Sequence, residues 1–167
     1  LLCGYIQVIH APGHCPGQVC LKVDDILLCA DHVLPNTSPH LAPESITAYT
    51  GLGHYLEALD KVASIPGIRL ALGGHEGPIV DFYQRVAAIQ ASHHKKLSDF
   101  LDLCQKPYTI SELAKAHYGQ RKGYHILLAI EETGAHVEYL YQRGHLGIAN
   151  LDEVESQANP VLRYYRR

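Results

Sequence analysis

Three short apolar runs, each breaking at a tight turn that carries a histidine or an aspartate, constrain this chain more than any other feature. Residues 5–9 run into His10-Ala11-Pro12-Gly13-His14-Cys15-Pro16-Gly17, and residues 26–30 run directly into Asp31-His32. Residues 69–72 lead into Gly73-Gly74-His75-Glu76-Gly77-Pro78. Apolar runs this short, bounded by Gly and Pro, read as buried strands. Strand ends that project His and carboxylate groups into one cleft are a way to build an open metal site. The candidate ligands are His14, Asp31 and His75. Gly13 and Gly17 relieve crowding around His14, and Gly73-Gly74 with Gly77-Pro78 put His75 on a strand-to-helix turn. An aspartate at the mouth of a buried strand is costly without a partner, and a metal pair is the best such partner.

Composition narrows the setting. At 167 residues and 47% hydrophobic, the chain has room for one core or two small ones. No apolar run approaches the roughly 18 residues that span a membrane, and no signal-peptide pattern opens the sequence. A net charge of -3 gives no general attraction to nucleic acid. Twelve histidines make a metal or acid–base site worth seeking. The five cysteines include no C-x-x-C pair and read as reduced, cytoplasmic thiols, with Cys20 and Cys29 as small core residues. The chain has no methionine and opens on Leu1-Leu2-Cys3-Gly4-Tyr5, which reads as the middle of a fold. The expectation is a piece of a longer protein.

Strand and helix signals alternate through residue 78. Residues 18–23 and 26–30 form a hairpin across Asp24-Asp25. Residues 33–43 are a Pro-, Asn- and Ser-rich loop, and Pro43 is placed in the first turn of the helix that follows. Leu52, Leu56, Leu59 and Ala63 recur at helical spacing until Pro66-Gly67. Beyond residue 79 the character is helical. Phe82, Val86, Ile89, His93, Leu97, Phe100 and Cys104 make one stripe, stopped by Lys106-Pro107. Thr109-Ile110-Ser111-Glu112 is a capping box for a short helix ending near Gly119. A third helix is expected over 124–141 with Ile126, Ile130, Val137 and Leu140/Tyr141 inward. Residues 146–151 and 161–165 then pair as a hairpin around a polar loop. Helix, short helix, longer helix and hairpin is a winged-helix order.

The stretch from His10 to Pro78 resembles the C-terminal half of the metallo-β-lactamase fold, a superfamily of mostly dizinc hydrolases. His14 matches the family's third ligand motif, Asp31 the bridging aspartate of the fourth, and His75 the histidine of the fifth. The tail resembles the winged helix of a branch close to glyoxalase II-like and β-lactamase-like hydrolases. Cys15 stands where the family usually has Thr, and Glu76 interposes where Gly-His-Gly-Pro is common. The family's first cluster, His-x-His-x-Asp-His, has no match in this sequence. His93-His94 has the wrong spacing and reads as a packed or solvated pair.

The resemblance implies an α+β fold: the C-terminal half of an αββα sandwich over residues 1–92, then a winged-helix accessory domain over 93–167. It implies two Zn2+ per complete site, with iron or manganese possible. Asp31 is both a bridging ligand and the catalytic carboxylate. A hydroxide shared by the ions would attack a small-molecule ester or thioester. This chain alone is expected to be inactive, and to self-associate or to pair with the missing N-terminal half, because half a sandwich leaves one sheet face bare. Two rival readings are a winged-helix nucleic-acid-binding or regulatory protein and a non-catalytic interaction module. Arg121-Lys122 and the terminal arginines favour the first of these; Glu131, Glu132 and Glu138 on the same helix oppose it.

Overall fold

The computed structural model describes residues 5–167, so residues 1–4, Cys3 among them, lie outside the described residues. The chain divides into two units, residues 1–93 and residues 94–167.

The first unit is built on a five-stranded sheet in the order β1-β2-β3-β4-β5: Ile6–His10, Val19–Val23, Ile26–Ala30, Leu70–Gly73 and Pro78–Ile79. Strands β1, β2 and β3 pair antiparallel in sequence, with the predicted two-residue turn at Asp24-Asp25 joining the last two. Asp24 takes a positive φ of 52°, which that tight turn demands. Helix α1 (Leu52–Ala63) then carries the chain back so that β4 lies parallel to β3. A parallel neighbour requires such a crossover. β5 pairs antiparallel with β4, a short strand with no counterpart in the sequence reading.

Alternation sorts the two faces of this sheet. Ile9, Cys20, Leu27, Cys29, Ala71 and Ile79 are buried and form the core of the unit with Leu52, Tyr55, Leu56, Leu59 and Val62 of α1. The opposite face carries the register row Val8–Leu21–Leu28–Leu72 and, beside it, Ile6–Val23–Ile26–Leu70. These side chains are apolar yet part-exposed, with Ile6 61% and Val8 64% accessible.

Helix α1 does not begin at Pro43. Residues 44–49 form turns in which Ile46 and Thr47 amides donate to the Pro43 carbonyl. Thr50 Oγ1 donates to the carbonyls of Thr47 and Pro43, and Gly51 at φ 94° breaks any continuation. Side chains that offer the backbone another partner favour turns over helix.

Helix α2 (Phe82–Leu103) carries the predicted stripe, and every member from Phe82 to Cys104 is buried. Its first part belongs to the first unit and its last to the second. The second unit adds α3 (Ile110–Tyr118), α4 (Tyr124–Gln142), β6 (Leu146–Ile148), α5 (Leu151–Ser156) and β7 (Tyr164–Arg166). The capping box of α3 is formed: the Glu112 amide donates to Thr109 Oγ1 at 3.2 Å, and the Thr109 amide donates to Glu112 Oε2 at 2.9 Å. β6 and β7 pair antiparallel, and Tyr108 adds a bridge to Tyr164.

Two expectations need correction here. The connection between β6 and β7 is not a plain polar loop; it holds the short helix α5, where Asn150 Nδ2 donates to Glu153 and to the Val161 carbonyl. The inward face of α4 also differs. Val137 and Leu140 are buried as expected, but Ile126 is 47% and Tyr141 42% exposed. Burial instead takes in the consecutive run from Glu132 to Val137, with His136 fully enclosed. Thr133 is satisfied by donating to the Ala129 carbonyl, and Lys96 Nζ donates to Glu132 at 2.8 Å. Polar side chains that satisfy one another can be buried where spacing rules expect only apolar ones.

Candidate metal centre

β1, β3 and β4 all run in one direction, because β1 and β3 each pair antiparallel with β2 while β4 is parallel to β3. Their C-terminal ends therefore lie along the same edge of the sheet. His14 follows β1, Asp31 follows β3 and His75 follows β4, so all three candidate ligands leave from that edge. The structure brings them together. Asp31 Oδ1 lies 3.5 Å from His75 Nε2, and Asp31 Oδ2 lies 3.9 Å from His14 Nε2.

Each arm of this cluster has a local reason. Gly13 is at φ 123°, and a β-carbon there would come within 2.5 Å of the Tyr55 backbone. Its amide donates to the Tyr49 carbonyl and its own carbonyl accepts from Gly51, which seats the His14 turn on the start of α1. Pro16 accepts from His10 Nε2 at 2.7 Å, closing the same turn. Cys15 Sγ donates to Gln18 Oε1, and buried Gln18 donates in turn to the Cys29 carbonyl. The residue that departs from the family pattern thus ties the His14 turn to β3.

Asp31 is aimed by an irregularity that the sequence reading missed. Pairing of β3 with β4 shifts register between Leu28 and Ala30, and Ala30 sits at φ 45°, in the left-handed region. Bulges re-aim the side chain that follows them, and a non-glycine held left-handed is strain the surroundings must enforce. Here the Gly74 amide donates to the Ala30 carbonyl at 2.7 Å.

His75 is set by a second left-handed residue, Glu76 at φ 67°. The Glu76 carboxylate accepts from the Asn36 amide at 2.7 Å, Asn36 Nδ2 at 3.1 Å and Thr37 Oγ1 at 2.9 Å. These donors, the Asn36 amide first, hold its carboxyl below the usual carboxylate range. Arg85 braces the same loop from α2, donating to the Leu34 and Thr37 carbonyls at 2.6 Å.

His14 shows which ring nitrogen is available. Nδ1 lies 2.7 Å from the His40 carbonyl, a pure acceptor, so Nδ1 carries the proton. In the neutral ring, Nε2 then presents its lone pair towards Asp31. A lone pair facing a carboxylate oxygen is unfavourable until a cation or a proton stands between them. The donor set of two imidazoles and one carboxylate fits a divalent ion of the zinc, iron or manganese type. The carbonyl partner on the other ring nitrogen is the support that metal-bound histidines require.

His32, beside Asp31, was not singled out as functional by sequence. It is fully buried, edge-on to the Tyr55 ring at 5.2 Å, and Tyr55 OH donates to its carbonyl. Among the described residues neither of its ring nitrogens makes a well-formed hydrogen bond. Burial pushes its imidazole down to about 4, and the Ala58 backbone offsets only part of that. It is a neutral core residue. His93 also packs, meeting Tyr55 edge-on at 5.4 Å, while His94 is exposed.

A mixed sheet with a crossover helix, carrying a His–Asp–His cluster along one edge, defines this α+β unit. Two solved structures share this fold. A metallo-beta-lactamase family protein from Thermus thermophilus matches at 33% identity and a TM-score of 0.79, over 97% of this chain and 49% of its own. A beta-lactamase domain protein from Burkholderia ambifaria matches at 24% identity and a TM-score of 0.85, over 99% of this chain and 49% of its own. No protein-family model matches, and neither does any curated protein. The chain belongs to the metallo-β-lactamase superfamily and spans about half the length of these solved relatives.

Proposed function

We propose that this chain is one half of a metal-dependent hydrolase of the dizinc type, acting on a small-molecule ester or thioester. The observation that carries the reading is the convergence of His14 Nε2 and His75 Nε2 on different oxygens of one carboxylate, Asp31. A carboxylate with each oxygen turned to a different imidazole is suited to bridge two ions, with His14 serving one and His75 the other. When bound, such ions supply Lewis acidity, polarising the scissile carbonyl and lowering the pKa of water towards 7. The chain's own part is to hold and orient. His40 fixes the His14 tautomer, the bulge at Ala30 aims Asp31, and the Glu76 turn presents His75.

Three ligands do not complete two ions, and the sequence contains no His-x-His-x-Asp-His cluster. The remaining ligands belong to a partner that covers the apolar sheet face of Ile6, Val8, Leu28 and Leu72. That partner is the other half of the sandwich; in its absence a second copy of this chain covers the face but brings no such ligand cluster. The second unit serves as a winged-helix accessory module. The order α3, α4, β6, β7 and the Tyr108–Tyr164 bridge support that assignment. Among the described residues no helix is long and apolar enough to cross a membrane, and Cys15, Cys20, Cys29 and Cys104 are free thiols. A reducing, cytoplasmic setting accords with both.

The test is metal analysis of this chain joined to a half that carries the missing ligands, followed by an ester, thioester and phosphodiester panel. Two divalent ions per molecule with ester or thioester turnover support the proposal. A metal-free, inactive assembly, or turnover of phosphodiesters alone, refutes it.

A further inference from the structure

We propose that Glu76 is a positioning residue that latches the two histidines of the cluster to each other. The inference rests on the reading of His14 and His75 as metal ligands, and extends it to a residue that binds no metal itself. Two contacts make the latch. On one side, the Glu76 carboxylate gathers the Asn36 amide, Asn36 Nδ2 and Thr37 Oγ1, which ties the His75 turn to the loop after Val33. On the other, the same loop presents the His40 carbonyl that holds the proton of His14 on Nδ1. Arg85 fixes the loop between these points through the Leu34 and Thr37 carbonyls. A displacement of the His75 turn is therefore transmitted to the group that sets the His14 tautomer.

The backbone argues that Glu76 is there for its side chain. At φ 67° a glycine would be unstrained, and Gly77 stands next in the chain. A long acidic residue held left-handed incurs a conformational cost that a plain turn would not. Its three donors all come from one loop, and that loop is the one that presents the His40 carbonyl.

The test is NMR on the whole chain without metal, reading the His14 ring tautomer from its nitrogen shifts and the exchange rate of the Asn36 amide. Glu76→Gly removes the carboxylate while suiting the backbone, so relief of the left-handed strain offsets part of the lost hydrogen bonding and the chain is expected to stay folded. The latch predicts at least a tenfold faster Asn36 exchange and a His14 ring that becomes a mixture of tautomers. Thr37→Val, which deletes one donor and leaves Glu76 in place, moves both readouts in the same direction by less. If Glu76→Gly does not fold, Thr37→Val and Glu76→Gln decide the matter by the same readouts. Wild-type exchange and a wild-type tautomer in these variants would overturn the latch. Zinc titration gives a separate arm: Glu76→Gly weakens binding about tenfold, the low end of the loss when a ligand's outer partner is removed. A wild-type chain that binds no zinc contradicts the metal reading, and the latch is then decided by the tautomer and exchange data alone.

Discussion

Gly74 lies so close to Asp31 that a β-carbon at position 74 would collide with Oδ1. The glycine is therefore what allows the end of β4 to approach the carboxylate on the end of β3. Gly74→Ala is expected to displace the Asp31 side chain and cost about 1–3 kcal/mol, the range for forcing extra volume into a packed site. Denaturant unfolding measures the loss, and a midpoint equal to wild type would show that the two strands have room to spare.

Ala30 gives the opposite prediction. Its left-handed backbone costs an L-residue about 1–2 kcal/mol, while glycine adds roughly 0.5–1 kcal/mol of unfolded-state entropy. Ala30→Gly should leave stability unchanged or raise it by up to about 1.5 kcal/mol, from the balance of those two effects. A loss larger than that would mean the alanine methyl is held by packing that outweighs the strain.

The capping box of α3 is testable alone. Thr109→Ala removes the acceptor for the Glu112 amide and should lower stability by about 1 kcal/mol. Thermal unfolding followed by circular dichroism reads this directly, and Thr109→Ser should recover most of it.

The second unit should be sensitive to acid. Burial lowers the pKa of both His136 and His117 below 6.5, although Glu132 beside the first and Asp99 beside the second pull the other way. With folded-state values below the unfolded ones, the unfolded chain binds more protons in the window beneath 6.5. The stabilising effect is complete above that value and is lost as pH falls through the lowered values. Denaturant midpoints measured from about pH 7 down to about pH 5 should decline, and His136→Leu should flatten the slope. A midpoint that rises on acidification would reverse the assignment.

The apolar sheet face predicts association. Ile6 and Val8 are more than half exposed, and Leu28 and Leu72 continue the patch across two further strands. Exposed apolar patches of this kind mark interfaces. Sedimentation should find species larger than the monomer, and Val8→Lys with Leu28→Lys should dissolve them. A clean monomer that binds no hydrophobic dye would count against this face as an interface.

The parts legible in the sequence are those fixed by neighbours in the chain. The hairpin at Asp24-Asp25, the stripe from Phe82 to Cys104, the Thr109 cap and the strand-end turns that carry His14, Asp31 and His75 all declare themselves within a few residues. What was not legible depends on distant partners. Ala30 is left-handed because Gly74 bonds its carbonyl, and the His14 tautomer is set from His40. Glu76 reads as a departure from a family motif until Asn36 and Thr37 are seen to surround it. The helix start misplaced to Pro43 has the same cause, since only the folded turn lets Thr50 cap the Pro43 and Thr47 carbonyls.

The central claim is that His14, Asp31 and His75 form half of a metal site. Titrating this chain with zinc, alongside Asp31→Asn, tests it most directly. The account predicts weak binding, with a Kd above the micromolar range, that Asp31→Asn abolishes, and no ester or thioester turnover. Micromolar or tighter stoichiometric zinc with measurable turnover, or binding that survives Asp31→Asn, would contradict it.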